Sequence, residues 1–221
     1  MADIYIGLMS GTSADSIDCA ALDLSSEEIK VLSCKNFEIP KDLKKDIIQS
    51  SQSKKIEQEL IDDLDFRMAK ELVNSVKEII SYSDVEVEDI KAIGSHGQTI
   101  KHEPKSENPY TLQIGDPQKI SNDLNIITIG NFRHDDIAAG GEGAPLTPVF
   151  HNKVFGNDRK RKAIVNIGGI TNITALNYPE LIGFDTGPGN CLMDCWSRIH
   201  NVGNYDDTGS WASSGTINQS L

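Results

Sequence analysis

The chain has 221 residues, 38% of them hydrophobic and 24% charged, with a formal net charge of −12. That composition suits one large or two small globular domains, and the acidic balance excludes a broad nucleic-acid footprint, which needs a basic face. No apolar run reaches the roughly 20 residues of a membrane span, and the acidic N-terminus leads straight into a strand rather than reading as a signal peptide.

The first element reads as a β-hairpin: apolar runs over 4–9 and 17–24 flank the polar turn SGTSADS. Residues 28–39 follow as a third strand, and Pro40 opens a charged helical stretch. Over 56–82, Ile56, Leu60, Leu64, Ala69, Leu72, Val76 and Ile79 recur every three to five residues, which predicts one amphipathic helix. Its Glu, Asp and Lys residues read as a solvated face. Residues 89–94 form a short strand ending in SHGQTI. YTLQIGD and NIITIGNFR read as further strands with glycine breaks, and 146–155 as a helix. RKAIVNIGGITNITAL is a second strand–turn–strand unit, a weak echo of the first. ELIGFDTGPGN is a strand, a tight turn and the start of a helix over 192–199. The four cysteines show no CxxC pair and read as reduced, buried thiols of a cytoplasmic protein. The expected division is 1–130 and 131–221.

Three turns carry candidate chemistry. In the first, Ser10, Thr12 and Ser13 surround Gly11 with hydroxyl and backbone donors, the makings of an anion nest. Asp15 and Asp18 would repel a bare phosphate but suit one that shares its charge with Mg²⁺, which takes oxygen ligands, often through water. A merely polar hairpin, with Asp15 as turn former, is the plain alternative. In the second, Gly168 and Gly169 lie between apolar strands, bracketed by Asn166 and Asn172; glycine there often marks close backbone approach. In the third, Asp185 is expected at a strand's end, where a carboxylate can serve as general base or simply cap a helix. His96 follows a strand in GSHGQT, either as a site residue or a structural one. Arg133 precedes a glycine-rich loop and offers a planar fork to carboxylates or phosphates, unless it pairs with Asp135 or Asp136. The other histidines lack metal-ligand spacing.

The ordered set GLMSGTSADSID, GSHGQTI, TLQIGD, NFRHDDIAAGGEGAPL, NIGGITNIT and GFDTGPGN resembles the anhydro-N-acetylmuramic acid kinases, over most of the chain. The resemblance implies a sugar kinase/actin-like (ribonuclease H-like) α/β lobe, a mixed β-sheet flanked by helices, plus the start of a second, similar lobe. It implies ATP and Mg²⁺, and an amino-sugar substrate of cell-wall recycling whose 1,6-anhydro ring is opened hydrolytically and phosphorylated to N-acetylmuramic acid 6-phosphate. Gly11, Thr12, Ser13, Ala14, Asp15, Ser16, Ile17 and Asp18 would form the first phosphate loop, with Asp15 and Asp18 toward the metal; Asn166, Gly168 and Gly169 would form the second. Asp185 would be the base, and His96 and Arg133 would line the sugar pocket. No nucleic acid or membrane partner is implied, and a homodimer is left open. Ser16 departs from the family pattern GTSxDGxD, and if the backbone needs φ > 0 there, serine costs about 1 kcal/mol. The chain stops at YDDTGSWASSGTINQSL, where family members continue. A truncated, non-catalytic sugar- or phosphate-binding remnant is therefore the competing expectation.

Overall fold

Strand β1 (Ile4–Ser10) buries every second residue, and β2 (Ser16–Asp23) does the same with Ile17, Cys19 and Ala21. That period of two puts one face of the hairpin into the core. The structure is a computed structural model that describes residues 3–156, 158 and 160–220. Strand β3 (Lys30–Glu38) extends the hairpin to an antiparallel meander. On the far side of β1, β4 (Ile90–Glu103) pairs in parallel, giving the sheet order β3-β2-β1-β4-β5 with β5 at Tyr110–Ile114. The short strand β6 (Thr128–Ile129) also pairs with β4, in parallel. The expected mixed α/β lobe is therefore present.

Helix α1 (Lys41–Gln52) and helix α2 (Gln58–Ser83) cover this sheet. Leu64, Met68, Leu72, Val76 and Ile79 lie fully buried along α2 at intervals of three and four; the stripe expected from the sequence holds from Leu64 on, with Met68 added to it, whereas Leu60 is exposed and Ile56 precedes the helix. Each such side chain contributes about 1.5–3 kcal/mol by leaving water. Helix α3 (Pro117–Leu124) starts at Asp116, whose carboxylate caps the Gln118 N–H at 2.8 Å. Helix α4 (Phe132–Ala138) follows β6 directly.

Two sequence expectations change here. The strand expected over 89–94 continues to Glu103, because SHGQTI changes partner instead of ending. Of NIITIGNFR, only Thr128 and Ile129 are strand, and Phe132 and Arg133 begin α4.

The chain forms two units, Met1–Gly143 and Ala144–Leu221. Helix α4, which follows the division expected after residue 130, packs on β5 and belongs to the first unit. The second unit comprises α5 (Pro148–Phe155), the strands β7 (Lys162–Ile167), β8 (Ile170–Leu176) and β9 (Ile182–Pro188), and helix α6 (Cys191–Ile199), followed by the single turn α7 (Ser210–Ser213). Its strands form an antiparallel meander, as β1–β3 do, which gives the echo between the two hairpins a structural form. Leu192, Met193, Trp196 and Ile199 of α6 stay exposed. Of the four free cysteines only Cys19 is buried; Cys34, Cys191 and Cys195 are exposed, contrary to the expectation of buried thiols. Burial pushes the Cys19 thiol up to about 12, so it stays protonated. Among the described residues no helix is long and apolar enough to cross a membrane.

Candidate active site

The first turn projects Thr12, Ser13 and Asp15 into solvent, while Ala14 is fully buried. The Ala14 N–H donates to the Gly11 carbonyl at 3.0 Å, and Ala14 takes φ +49°, in the left-handed region. The strained position of the loop is thus Ala14. Ser16 begins β2 opposite Glu38 and is not among the positive-φ residues, so the replacement of a family glycine by Ser16 carries no such penalty. Ser10 is not a loop donor: it is 1% exposed, and its single hydroxyl proton is taken up between Gln98 Oε1 at 2.6 Å and the Ser16 carbonyl at 3.1 Å. Ile17 also points into the core, so Ala14 and Ile17 can meet a ligand only through their backbones. Asp15 pairs with Lys44 of α1. The exposed Asp18 accepts from Asn36 of β3, and from Ser16 Oγ at 3.3 Å. Among the described residues no group of three or more His, Cys, Asp or Glu could hold a metal by itself. The donor set here, two exposed carboxylates beside hydroxyls, suits a hydrated cation held mainly by a ligand's own oxygens.

In the second unit, Gly168 and Gly169 are the two-residue connection between β7 and β8. Neither is at positive φ, and a Cβ at either would meet only ordinary contacts, at 3.5 Å from the Ile170 carbonyl and 3.9 Å from Cys191. The fold itself does not demand glycine there, and the backbone of the turn is open. The two turn carbonyls accept from the Asn190 and Gly189 N–H groups, each at 2.8 Å, tying the turn to the start of α6.

Asp185 stands in the middle of β9, not at a strand's end, and the residue ahead of α6 is Asn190. The β8 register sets Asn172 opposite Asn166 of β7 on one side and opposite Asp185 of β9 on the other. Directly opposed residues of an antiparallel pair share a face with Cβ atoms about 5 Å apart, so the three make one polar rung across the sheet. A bulge beside the rung leaves Thr186 without a ladder partner, and its hydroxyl donates to the Thr171 carbonyl at 3.1 Å. Bulges re-aim the side chains next to them. Asp185 is exposed, while Asn172 Oδ1 is buried without a hydrogen-bond partner among the described residues.

His96 and Arg133, both in the first unit, meet directly. Arg133 Nε donates to His96 Nε2 at 2.7 Å, and Arg133 Nη1 donates to the Gly143 carbonyl at 2.8 Å. The other ring nitrogen, Nδ1, lies 2.9 Å from the Gly97 carbonyl and must be its donor. Burial, and then the Arg133 charge, push the His96 pKa below its ordinary value. Both arms of this contact are therefore consistent with a neutral imidazole.

His96 also lines a cavity of about 460 Å³ with Asp65, Ser95, Gly115, Asp116 and Asn131. It opens where β4 leaves β6, last paired at Gly94, and takes up β5, first paired at Gln98. Gly97 makes the crossing possible: it has φ +68°, and a Cβ there would lie 2.4 Å from the Ile114 carbonyl. Asp65 accepts the Gly115 N–H at 2.9 Å. Burial first, and Asp116 after it, push the Asp65 carboxyl above the usual carboxylate range. The pattern of α2 assigns its acids to solvent, whereas Asp65 is half-buried. Its signal is spacing: Asp65 precedes Ala69 by four and Leu72 by seven, on the buried stripe.

Comparison with known proteins places these motifs in context. The model of a family described as anhydro-N-acetylmuramic acid kinase matches residues 3–221. Proteins of that name are similar to this chain in Vibrio vulnificus CMCP6 (39% identity, 99% of this chain, 60% of the relative), Shewanella sp. MR-7 (44%, 98% and 59%) and Sulfurimonas denitrificans (40%, 100% and 60%). The chain spans about 60% of the length of these relatives. Among solved structures it is similar to an Aquifex aeolicus Ppx/GppA family member, with TM-score 0.45, 7% identity, and coverage of 87% of this chain and 54% of that one.

Proposed function

The chain belongs to the anhydro-N-acetylmuramic acid kinase family, and on that premise we propose that it is the part of such a kinase bearing the phosphate loops and the catalytic base. The first unit is the first lobe, and the second unit the beginning of the second. The observation that carries the reading is the rung Asn166–Asn172–Asp185, an exposed carboxylate on the same small sheet as the open Gly168-Gly169 turn.

Asp185 takes a proton from a water molecule as that water attacks the anomeric carbon of 1,6-anhydro-N-acetylmuramic acid. The bond from that carbon to O6 breaks, and O6, now free, attacks the γ-phosphorus of ATP. The bond to the β–γ bridging oxygen breaks and ADP leaves, so the products are N-acetylmuramic acid 6-phosphate and ADP. The turn over 11–18, with the Thr12 and Ser13 hydroxyls, serves as the first phosphate loop, and the Gly168-Gly169 turn as the second. Mg²⁺ supplies charge neutralisation when bound, and Asp18 and Asp15 are the carboxylates that would face it, with Lys44 giving up its partner. Phosphoryl transfer of this kind rests on positioning and charge stabilisation rather than on protein nucleophiles. Arg133 orients His96, and its positive charge suits the sugar carboxylate.

The experiment is sugar-dependent ADP release from a polypeptide of family length that contains this sequence, supplied with ATP, Mg²⁺ and the anhydro sugar. Formation of one ADP per sugar 6-phosphate is expected. ADP release indifferent to the sugar would contradict the reading, and absence of ADP release with ligand still bound would favour a non-catalytic sugar- or phosphate-binding remnant.

A further inference from the structure

Gly143 is buried, so both polar groups of its backbone need partners inside the protein. Helix α4 supplies the two from a single turn. Arg133 donates to the Gly143 carbonyl at 2.8 Å, and the half-buried Asp136 carboxylate accepts the Gly143 N–H at 2.7 Å. The two residues are three apart on the helix, so their side chains share a face. Asp136 holds the same loop a second time through its own carbonyl, which accepts the Gly141 N–H at 2.8 Å. The loop is shaped to this clamp. Gly143 takes φ +68°, and a Cβ on Gly141 would run into the Asp136 carboxylate.

The clamp continues to His96. Arg133 uses Nη1 for Gly143 and Nε for His96 Nε2, so one guanidinium spans the loop and the imidazole. The guanidinium is a rigid plane, and moving one end of it moves the other. The end away from His96 rests on the Gly143 carbonyl, and Asp136 fixes the residue that bears this carbonyl. The kinase chemistry above gives work to Arg133 and His96 but none to Asp136. Its neighbour Asp135 is exposed and meets His134 instead, at 3.2 Å.

We infer that Asp136 is a positioning residue: by holding the Gly143 N–H it sets the Gly143 carbonyl, and through that carbonyl the angle at which Arg133 meets His96. The consequence for sugar binding, that a displaced Arg133 presents its charge badly to the sugar carboxylate, rests on the kinase reading. The contact chain Asp136–Gly143–Arg133–His96 lies wholly within the first unit and does not depend on the reaction.

The test is the NMR titration of His96 in the 221-residue chain, with the signal assigned by its loss in His96→Gln. Asp136→Ala and Asp136→Asn both remove the carboxylate charge, but only Asn keeps an oxygen for the Gly143 N–H, so their difference reads position alone. The charged and titratable groups about the ring, Arg133, His102, Asp65 and Asp116, are the same in both. The His96 midpoint should lie about half a unit higher in Asp136→Ala than in Asp136→Asn, part of the shift of one unit or more that a charge within about 4–6 Å exerts. Gly141→Ala keeps every charge but drives the carboxylate off the loop, and should raise the midpoint above that of the parent. Equal midpoints in the Ala and Asn variants, or a parent-like midpoint in folded Gly141→Ala, would overturn the inference. In a polypeptide of family length, Asp136→Ala should show a KM for the anhydro sugar about tenfold above that of Asp136→Asn, with the same KM for ATP. Equal sugar KM values in the two variants would also overturn it. Absence of sugar-dependent turnover in the parent would count against the kinase reading and leave the titration result standing.

Discussion

Arg133 donates its Nε–H to Nε2 of His96, and this single contact fixes both the tautomer and the charge of the imidazole. The ring is neutral, with its proton on Nδ1 toward the Gly97 carbonyl. The folded-state pKa of His96 lies below the ordinary 6.5, so the folded protein binds fewer protons than the unfolded chain. The stability tied to neutral His96 is fully present above pH 6.5 and is lost as pH falls from there toward the depressed pKa. Denaturant unfolding across this range should show that loss, and His96→Gln should flatten it while costing about 1 kcal/mol at neutral pH through the missing hydrogen bonds. In Arg133→Ala the His96 NMR titration midpoint should move upward. An unchanged midpoint would mean that the arginine does not act on the ring.

Ala14 is both buried and left-handed, a combination that few side chains tolerate. Ala14→Val adds a β-branch at φ +49°, where even alanine is strained by about 1–2 kcal/mol. Overpacking a buried site adds about 1–3 kcal/mol. A loss of about 2 kcal/mol or more in denaturant unfolding is expected, and a variant as stable as the parent would show that the loop has a different conformation. The same experiment on Ser16→Gly should show no gain from relief of left-handed strain.

Gly97 is the residue on which the β4 crossing depends. Gly97→Ala places a Cβ 2.4 Å from the Ile114 carbonyl, so β4 and β5 must separate. The expected cost is about 2 kcal/mol or more, from the positive φ together with the displaced backbone. Calorimetric unfolding checks it, and a neutral result would remove the reason given for the cavity's position.

Much of this architecture was legible in the sequence because its signals are local. Alternation at Ile4, Ile6 and Leu8, and again at Ile17, Cys19 and Ala21, specifies a hairpin whatever surrounds it. The stripe along α2 is equally self-contained. The parts that were misread depend on partners distant in the chain. SHGQTI looks like a strand end because its glycine breaks the pattern, but β5 supplies the second half of the ladder. NFRHD follows a strand-like IITIG, and only the parallel pairing at Ile93 and Gly94 limits that strand to two residues. Asp185 reads as terminal because Gly187 and Pro188 follow it, while β8 keeps the pairing through Pro188 and sets Asn172 opposite the carboxylate. Asp65 was overlooked because a helix full of acids hides the one that faces inward.

In the proposed reaction Asp185 is a base that acts in the chemical step rather than in ligand binding. In a polypeptide of family length that contains this sequence, Asp185→Asn keeps the shape and the Asn172 pairing but removes the proton acceptor. Turnover with ATP, Mg²⁺ and the anhydro sugar should fall by roughly 10²–10⁴, while calorimetry records sugar binding close to that of the parent. Near-normal turnover in the Asn variant, or loss of sugar binding in step with rate, would contradict the assignment.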